Sequence, residues 1–124
     1  MATILIVEDE VFVLQAAEWA VEDMGHSPLM ASDLTEALAH LSASGSIDAL
    51  FVDIRLRALA RGGYDVANQA IRIRPDLRVL YTSGTPLNTE MASLFVNGGQ
   101  FLAKPYTPED LGTSLGSLLE TLGQ

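Results

Sequence analysis

Short aliphatic runs alternate with apolar residues at helical spacing along the chain, and this alternation constrains the fold more than any other feature. Ile4–Val7 is a continuous aliphatic run of the kind that is buried on both faces of a parallel sheet. Leu14, Ala17 and Val21 then recur at intervals of three or four residues, which predicts a helix. Gly25 marks the end of that helix. Five such repeats predict an α/β domain with a parallel sheet and right-handed crossover connections.

The remaining elements are predicted from the same pattern. Further strands are expected at Ser27–Ala31, Ala49–Asp53, Val79–Ser83 and Gln100–Ala103. The helices that follow them are expected from Asp33 to near Gly45, from about Tyr64 to Arg74, over Thr89–Val96 and from Thr107 onward. Because Pro28 cannot donate a hydrogen bond to a neighbouring strand, the second strand is expected at an edge of the sheet.

The charge of the chain disfavours several classes of partner. Seven basic residues against sixteen acidic residues leave a net charge of −9. Phosphodiester backbones and anionic lipids repel such a chain, so neither nucleic acid nor a membrane is expected as a partner. The chain has no cysteine, which excludes a disulfide framework and a thiol nucleophile. The first apolar run lacks a basic leader and is too short to span a membrane, so a cytoplasmic location is predicted.

Polar residues stand at the carboxyl ends of the predicted strands, where open parallel sheets bind their ligands. They are Glu8 and Asp9 after the first strand, Asp53 at the third, Thr82 and Ser83 at the fourth, and Lys104 after the fifth. Three carboxylates, a hydroxyl from Thr82 or Ser83 and the chain's only lysine are therefore expected at one edge. Hard oxygen ligands in this number suit Mg²⁺. Taken singly, Asp53 could instead be a helix cap, Ser83 a turn residue and Lys104 a surface lysine.

With these motifs the chain resembles the receiver domain of bacterial two-component response regulators, of the chemotaxis-regulator type. The resemblance runs from Glu8-Asp9 through Asp53 and Thr82-Ser83-Gly84 to Lys104-Pro105 and the last helix. It implies a flavodoxin-like, doubly wound, five-stranded parallel sheet in the order 2-1-3-4-5 with five helices. It also implies that residues 1–124 form a single receiver domain with no effector domain.

The resemblance implies a phosphoacceptor and a metal site. Asp53 would accept a phosphoryl group from a phosphohistidine of a histidine kinase or a histidine phosphotransfer protein. Glu8, Asp9, Asp53 and the backbone carbonyl of Arg55 would hold Mg²⁺ or Mn²⁺. Such a protein promotes its own phosphorylation and dephosphorylation. It then signals by contact with a downstream protein target or by a phosphorelay.

The resemblance also implies a switch. Ser83 would donate its hydroxyl to a phosphoryl oxygen, and Lys104 would pair with another. Ser83 is favoured over Thr82 because the family places its hydroxyl directly before a small residue, which here is Gly84. Phe101 stands at the family's switch aromatic position, although it could simply be a core residue. The Lys104–Pro105 bond is expected to be cis.

A second group of residues suggests a partner surface. Phe12, Ala16 and Trp19 share one stripe of the first helix, rotated away from its core stripe. The stripe begins beside the acidic cluster, and Pro105 and Tyr106 follow Lys104 at a neighbouring strand end. Exposed aromatic residues beside a site suggest a protein-binding patch. The alternative is that Trp19 packs under a neighbouring helix.

Three other functions compete with this interpretation. A nucleotide- or flavin-binding domain needs a glycine-rich turn after the first strand, where this chain has three consecutive acids. A phosphatase with an aspartate nucleophile usually has a second acid two residues later, where this chain has Arg55. A receiver-like interaction module that is never phosphorylated stays open. Two departures from the family pattern are Glu8 in place of the commoner aspartate and a longer loop after Asp53.

Overall fold

The computed structural model describes residues 1–43, 45–56 and 62–120. Five strands and five helices alternate: β1 Thr3–Val7, α1 Val11–Asp23, β2 Ser27–Ala31, α2 Leu34–Ser42, β3 Ala49–Asp53, α3 Gly62–Ile73, β4 Arg78–Ser83, α4 Thr89–Ser93, β5 Gln100–Ala103 and α5 Pro108–Glu120. All the strand pairs are parallel, and the sheet order is β2-β1-β3-β4-β5. The predicted flavodoxin-like architecture is confirmed, and β2 is an edge strand. Part of the loop after Asp53, residues 57–61, lies outside the described residues.

The sheet separates two apolar cores. Ile4 and Ile6 of β1 pack with α1 and α5, whereas Leu5 and Val7 pack with α2 and α3 on the opposite face. Successive side chains of a strand point to opposite faces, so a strand covered on both sides must be apolar at every position. This requirement explains the continuous aliphatic run. No helix among the described residues is long and apolar enough to cross a membrane.

Side-chain caps begin three of the helices. The Asp33 carboxylate accepts a hydrogen bond from the backbone amide of Glu36 at 2.8 Å. The Asn88 side chain caps α4 in the same way. At α5, the Thr107 hydroxyl accepts from the amide of Asp110, whose carboxylate accepts from the amide of Thr107. These bonds satisfy amides that have no partner within the helix.

Helix α4 is shorter than predicted. The sequence favours a helix over Thr89–Val96, but α4 ends at Ser93. The backbone amide of Val96 instead donates to the buried hydroxyl of Tyr81 at 2.9 Å. The ring of Phe95 stacks on that of Tyr81, with centroids 4.1 Å apart and planes 14° from parallel. This tertiary contact overrides the local helical pattern.

Gly63 lets the first turn of α3 lie directly against the backbone of Asp53. A Cβ atom at Gly63 would come within 2.3 Å of the Asp53 carbonyl oxygen and 2.6 Å of the Ile54 Cα. The amide of Gly63 donates to the carbonyl of Ile54 at 2.8 Å, which fixes this close approach. A side chain at Gly63 would therefore have to displace the end of β3.

We expect Gly63→Ala to destabilise the fold by about 1–3 kcal/mol, because the added methyl group meets backbone atoms that cannot move independently. Urea unfolding followed by circular dichroism measures the change. Gly116→Ala in α5 is the matched control, since nothing lies within 4 Å of its added Cβ. In that control, alanine's higher helix propensity should stabilise the protein by up to about 1 kcal/mol. Equal effects of the two substitutions would contradict the proposed close packing.

Candidate functional site

At four neighbouring strands, a polar residue lies two positions after an apolar residue of the core between the sheet and helices α1 and α5, here called the α1–α5 core. The pairs are Ile6 and Glu8, Phe51 and Asp53, Leu80 and Thr82, and Leu102 and Lys104. Because side chains two positions apart in a strand share a face, this spacing directs the four polar groups to one face at the carboxyl edge of the sheet. Their order across the sheet follows the strand order β1-β3-β4-β5.

An ion-pair triad forms the centre of this edge. Lys104 Nζ lies 2.7 Å from Glu8 Oε1 and 2.9 Å from Asp53 Oδ2. Glu8 and Asp53 are buried, and Lys104 is partly buried. Each carboxylate also accepts a backbone hydrogen bond, Glu8 from the amide of Glu10 at 3.1 Å and Asp53 from the amide of Arg55 at 3.2 Å. Charge-assisted bonds of this kind hold all three side chains in fixed orientations.

The pKa shifts in the triad have different physical causes. Burial raises the pKa of Glu8 to about 7, against the opposing effect of its hydrogen bonds from Lys104 and the Glu10 amide. At Lys104 burial favours the neutral amine, but the two carboxylates outweigh it and raise its pKa to about 12. Lys104 is therefore a cation at neutral pH.

Three carboxylates converge closely enough to bind one metal ion. Oxygen atoms of Glu8, Asp9 and Asp53 all lie within 4.8 Å of one another. The donor atoms are hard oxygens, which Mg²⁺ prefers. These residues therefore fit a divalent cation of that class.

A cavity of about 430 Å³ opens above the triad. Its lining residues are Asp9, Glu10, Asp53, Arg55, Ser83, Gly84, Thr85 and Lys104. The hydroxyl oxygen of Ser83 accepts a hydrogen bond from the amide of Thr85 at 3.0 Å, which leaves the hydroxyl hydrogen able to donate. Thr82 is buried and does not line this cavity. The two candidate hydroxyls thus occupy different places, and Ser83 is the one that faces the open space.

Phe101 belongs to an aromatic stack that the sequence analysis did not identify. Its ring lies 6.3 Å from that of Phe95, and Phe95 in turn stacks on Tyr81. Tyr64 joins the group at 5.8 Å from Tyr81. No periodic signal could reveal these contacts, because they depend on the early end of α4. The spacing of Phe95 and Phe101 in sequence carries no information about the distance between their rings.

The predicted partner residues are brought partly into one groove. An apolar groove of about 640 Å³ adjoins the cavity and is lined by Phe12, Val13, Ala16, Gly84, Lys104, Pro105 and Tyr106. Phe12 is 84% exposed at its rim. The Lys104–Pro105 bond is cis. Trp19 is 58% exposed on α1, so it is not packed under a neighbouring helix, but it does not line the groove.

Tyr106 is anchored beneath this groove. Its ring packs edge-on against Phe51 with centroids 5.6 Å apart. Burial raises the pKa of Tyr106 to about 12. Tyr106 is therefore a neutral phenol that forms part of the α1–α5 core as well as the floor of the groove.

Comparisons with known proteins agree with this geometry. The nitrogen assimilation regulatory protein NtrX of Azorhizobium caulinodans is 30% identical over 96% of this chain, which spans 26% of that protein. Response regulator SaeR of Staphylococcus aureus is 26% identical over 96% of this chain, which spans 51% of it. A response regulator receiver protein from Sinorhizobium medicae has a solved structure that is 32% identical, with a TM-score of 0.84 over 96% of this chain and 94% of that one.

The chain spans between about a quarter and a half of the length of these two sequence relatives. The family model for the response regulator receiver domain matches residues 4–115, which include every strand exit described above. The sheet order, the acidic cluster and the lysine that bridges it are thus found within one matched segment. On these grounds, the chain belongs to the response regulator receiver domain family.

Proposed function

We propose that Asp53 accepts a phosphoryl group from a phosphohistidine of a histidine kinase or histidine phosphotransfer protein, in a reaction that requires Mg²⁺ or Mn²⁺. The observation that supports this most directly is the Asp53 carboxylate, held by Lys104 beside two further carboxylates at the base of an open cavity. An aspartate in this position is held by a cationic neighbour and is accessible from one side. Both properties are needed by a carboxylate nucleophile.

The transfer conserves atoms and charge in one displacement. An Asp53 carboxylate oxygen attacks phosphorus and forms a P–O bond while the P–N bond to the donor histidine breaks. The electron pair of the broken bond goes to the ring nitrogen. A histidine whose other nitrogen carries hydrogen then leaves as neutral imidazole. The protein contributes alignment and charge stabilisation, as phosphoryl transfer generally requires.

The chain's own groups would stabilise the charge on the phosphoryl oxygens. Lys104 is cationic and lines the cavity, so it would pair with one oxygen, and the Ser83 hydroxyl would donate to another. Glu8, Asp9, Asp53 and the backbone carbonyl of Arg55 would hold the divalent cation. When bound, that cation supplies further positive charge to the phosphoryl group.

The same groups would pass the signal to the surface of the protein. Ser83 follows Tyr81 and Thr82 in β4. The ring of Tyr81 stacks on that of Phe95, which in turn stacks on the ring of Phe101 in β5. A movement of Ser83 toward the phosphoryl group would shift this stack between two packed arrangements. Output would then be a contact with a downstream protein or onward transfer in a phosphorelay in the cytoplasm. A receiver-like module that is never phosphorylated is the second candidate.

The apolar groove beside the cavity would receive the phosphodonor protein. Residues 1–54 contain ten carboxylates and neither lysine nor arginine, and α5 also contains no basic residue. The groove between α1 and the β5–α5 connection is therefore set in an acidic surface. A donor helix with apolar side chains and a lysine- or arginine-rich margin complements it. Trp19 lies further along α1 and would extend this contact.

We expect acetyl phosphate with Mg²⁺ to add the mass of one phosphoryl group to the wild-type protein and none to Asp53→Asn. The amide cannot act as the nucleophile. Mass spectrometry of the intact protein measures the product. Asp65→Asn is the matched control, because Asp65 is an exposed carboxylate of α3, and it should react like the wild type. Failure of the wild type to react would favour the second candidate, the unphosphorylated module.

We expect Lys104→Met to slow phosphorylation by acetyl phosphate on the order of a hundredfold, because the transition state loses a fixed positive charge. Initial rates on phosphate-affinity gels provide the measurement. Lys104→Arg keeps the charge but not its compact geometry, so it should retain an intermediate rate. Unfolding midpoints of both variants separate loss of rate from loss of structure. A wild-type rate in Lys104→Met would refute the proposed role.

We expect Trp19→Glu to slow transfer from a histidine phosphodonor protein about tenfold, the effect typical of losing one buried aromatic contact. The rate with acetyl phosphate should not change, since Trp19 lies outside the cavity. Both rates are measured on phosphate-affinity gels. Ile73→Glu is the control, because Ile73 is an exposed apolar residue of α3. Equal loss in the two assays would refute the partner surface.

A further inference from the structure

A buried hydroxyl next to the phosphoacceptor has no hydrogen-bond partner in the part of the chain that the structure describes. Thr82 is only 2% exposed, and its Oγ1 atom makes no hydrogen bond to any described residue. Removing a hydroxyl from water without giving it a partner is unfavourable. Valine has nearly the same shape and would avoid this cost. The unsatisfied hydroxyl therefore needs an explanation.

The position of Thr82 in the sheet suggests one. Thr82 is the Cα partner of Asp53 on β3 and of Leu102 on β5. Lys104 follows β5 and Asp53 ends β3, and β4 lies between these two strands in the sheet. The ion pair between Lys104 and Asp53 therefore spans β4. By the alternation of side chains, Thr82 points to the face that Asp53 and Lys104 share. It is thus the β4 residue directly beneath this ion pair.

In the resting protein Asp53 needs no further donor. One carboxylate oxygen accepts from Lys104 and the other from the amide of Arg55. Phosphorylation would change this balance, because one oxygen becomes bonded to phosphorus and the ammonium group is drawn toward the phosphoryl oxygens. If phosphorus bonds to Oδ1, the oxygen that accepts from the Arg55 amide, then Oδ2 is the acyl oxygen that loses the Lys104 ammonium group. A divalent cation held there would use one lone pair of Oδ2, and the other lone pair can accept a hydrogen bond from the same face of the neighbouring strand.

We propose that Thr82 is a positioning residue for the phosphorylated state, in which its hydroxyl donates a hydrogen bond to the acyl oxygen of Asp53. The inference rests on the proposed function of Asp53. Side chains of register partners on one face lie close enough for a small rearrangement to bring donor and acceptor together. A hydroxyl that has no partner among the described residues at rest and gains one after phosphorylation favours the phosphorylated form. Ser83 acts on the phosphoryl group from the cavity, and Thr82 acts on the carboxyl group from beneath.

The test compares Thr82→Val with Thr82→Ser, using beryllofluoride and Mg²⁺ as the probe of the phosphorylated state. We expect Thr82→Val to bind beryllofluoride about fivefold more weakly than the wild type, equivalent to about 1 kcal/mol, by isothermal titration calorimetry. Its unfolding temperature without ligand should be unchanged or higher, because an unsatisfied hydroxyl has been removed. Thr82→Ser keeps the hydroxyl and should bind within about twofold of the wild type.

The effects of Thr82→Val on beryllofluoride binding and on the unfolding temperature together distinguish a positioning role from a packing role. If Thr82 served only to fill space, valine would leave beryllofluoride binding unchanged, and this outcome would overturn the inference. Parallel loss of binding and of stability in both variants would also overturn it, since it would indicate a general packing defect. If the wild type bound no beryllofluoride, the proposed function of Asp53 would fail first, before any comparison among the variants.

Discussion

The ion pair that joins Lys104 to Glu8 and Asp53 is the interaction on which the site depends. It connects residues 96 and 51 positions apart in sequence, and they meet only because β1, β3 and β5 end at the same edge of the sheet. The ammonium group relieves the repulsion between two buried carboxylates. The site and the strand order therefore support each other. In this fold the parallel strand order brings the three side chains to one edge of the sheet.

Most of the fold and the polar members of the site could be predicted because they depend on local patterns. The aliphatic run Ile4–Val7 indicates a strand that is buried on both faces. Asp53 and Lys104 could be assigned to the site because each lies at the predicted end of a strand. The aromatic stack could not be predicted, since Phe95 reaches Tyr81 only because α4 ends at Ser93. That the Thr82 hydroxyl finds no partner within residues 1–43, 45–56 and 62–120 is also invisible in sequence, because it depends on what the neighbouring strands place around it.

The two faces of the sheet carry different parts of the candidate site. By the alternation of side chains, Glu8, Asp53 and Lys104 share the α1–α5 face, whereas the rings of the aromatic stack belong to the α2–α3 core. Strand β4 belongs to both faces, because Thr82 and Ser83 are consecutive and point in opposite directions. Under the proposed function, a change at Asp53 would act on β4 through Thr82 on one face and through Ser83 on the other. Phosphorylation of Asp53 would then move side chains on both faces of the sheet through this one strand.

The cavity and the apolar groove are also linked, because Gly84 and Lys104 line both of them. Under the proposed function, a phosphodonor protein seated against Phe12 and Pro105 would lie beside the side chain whose ammonium group stabilises the transferred phosphoryl group. Gly84 has no side chain to separate the two spaces, and nothing lies within 4 Å of a Cβ built there. Recognition of the donor and alignment of its histidine with Asp53 would then depend on one continuous surface.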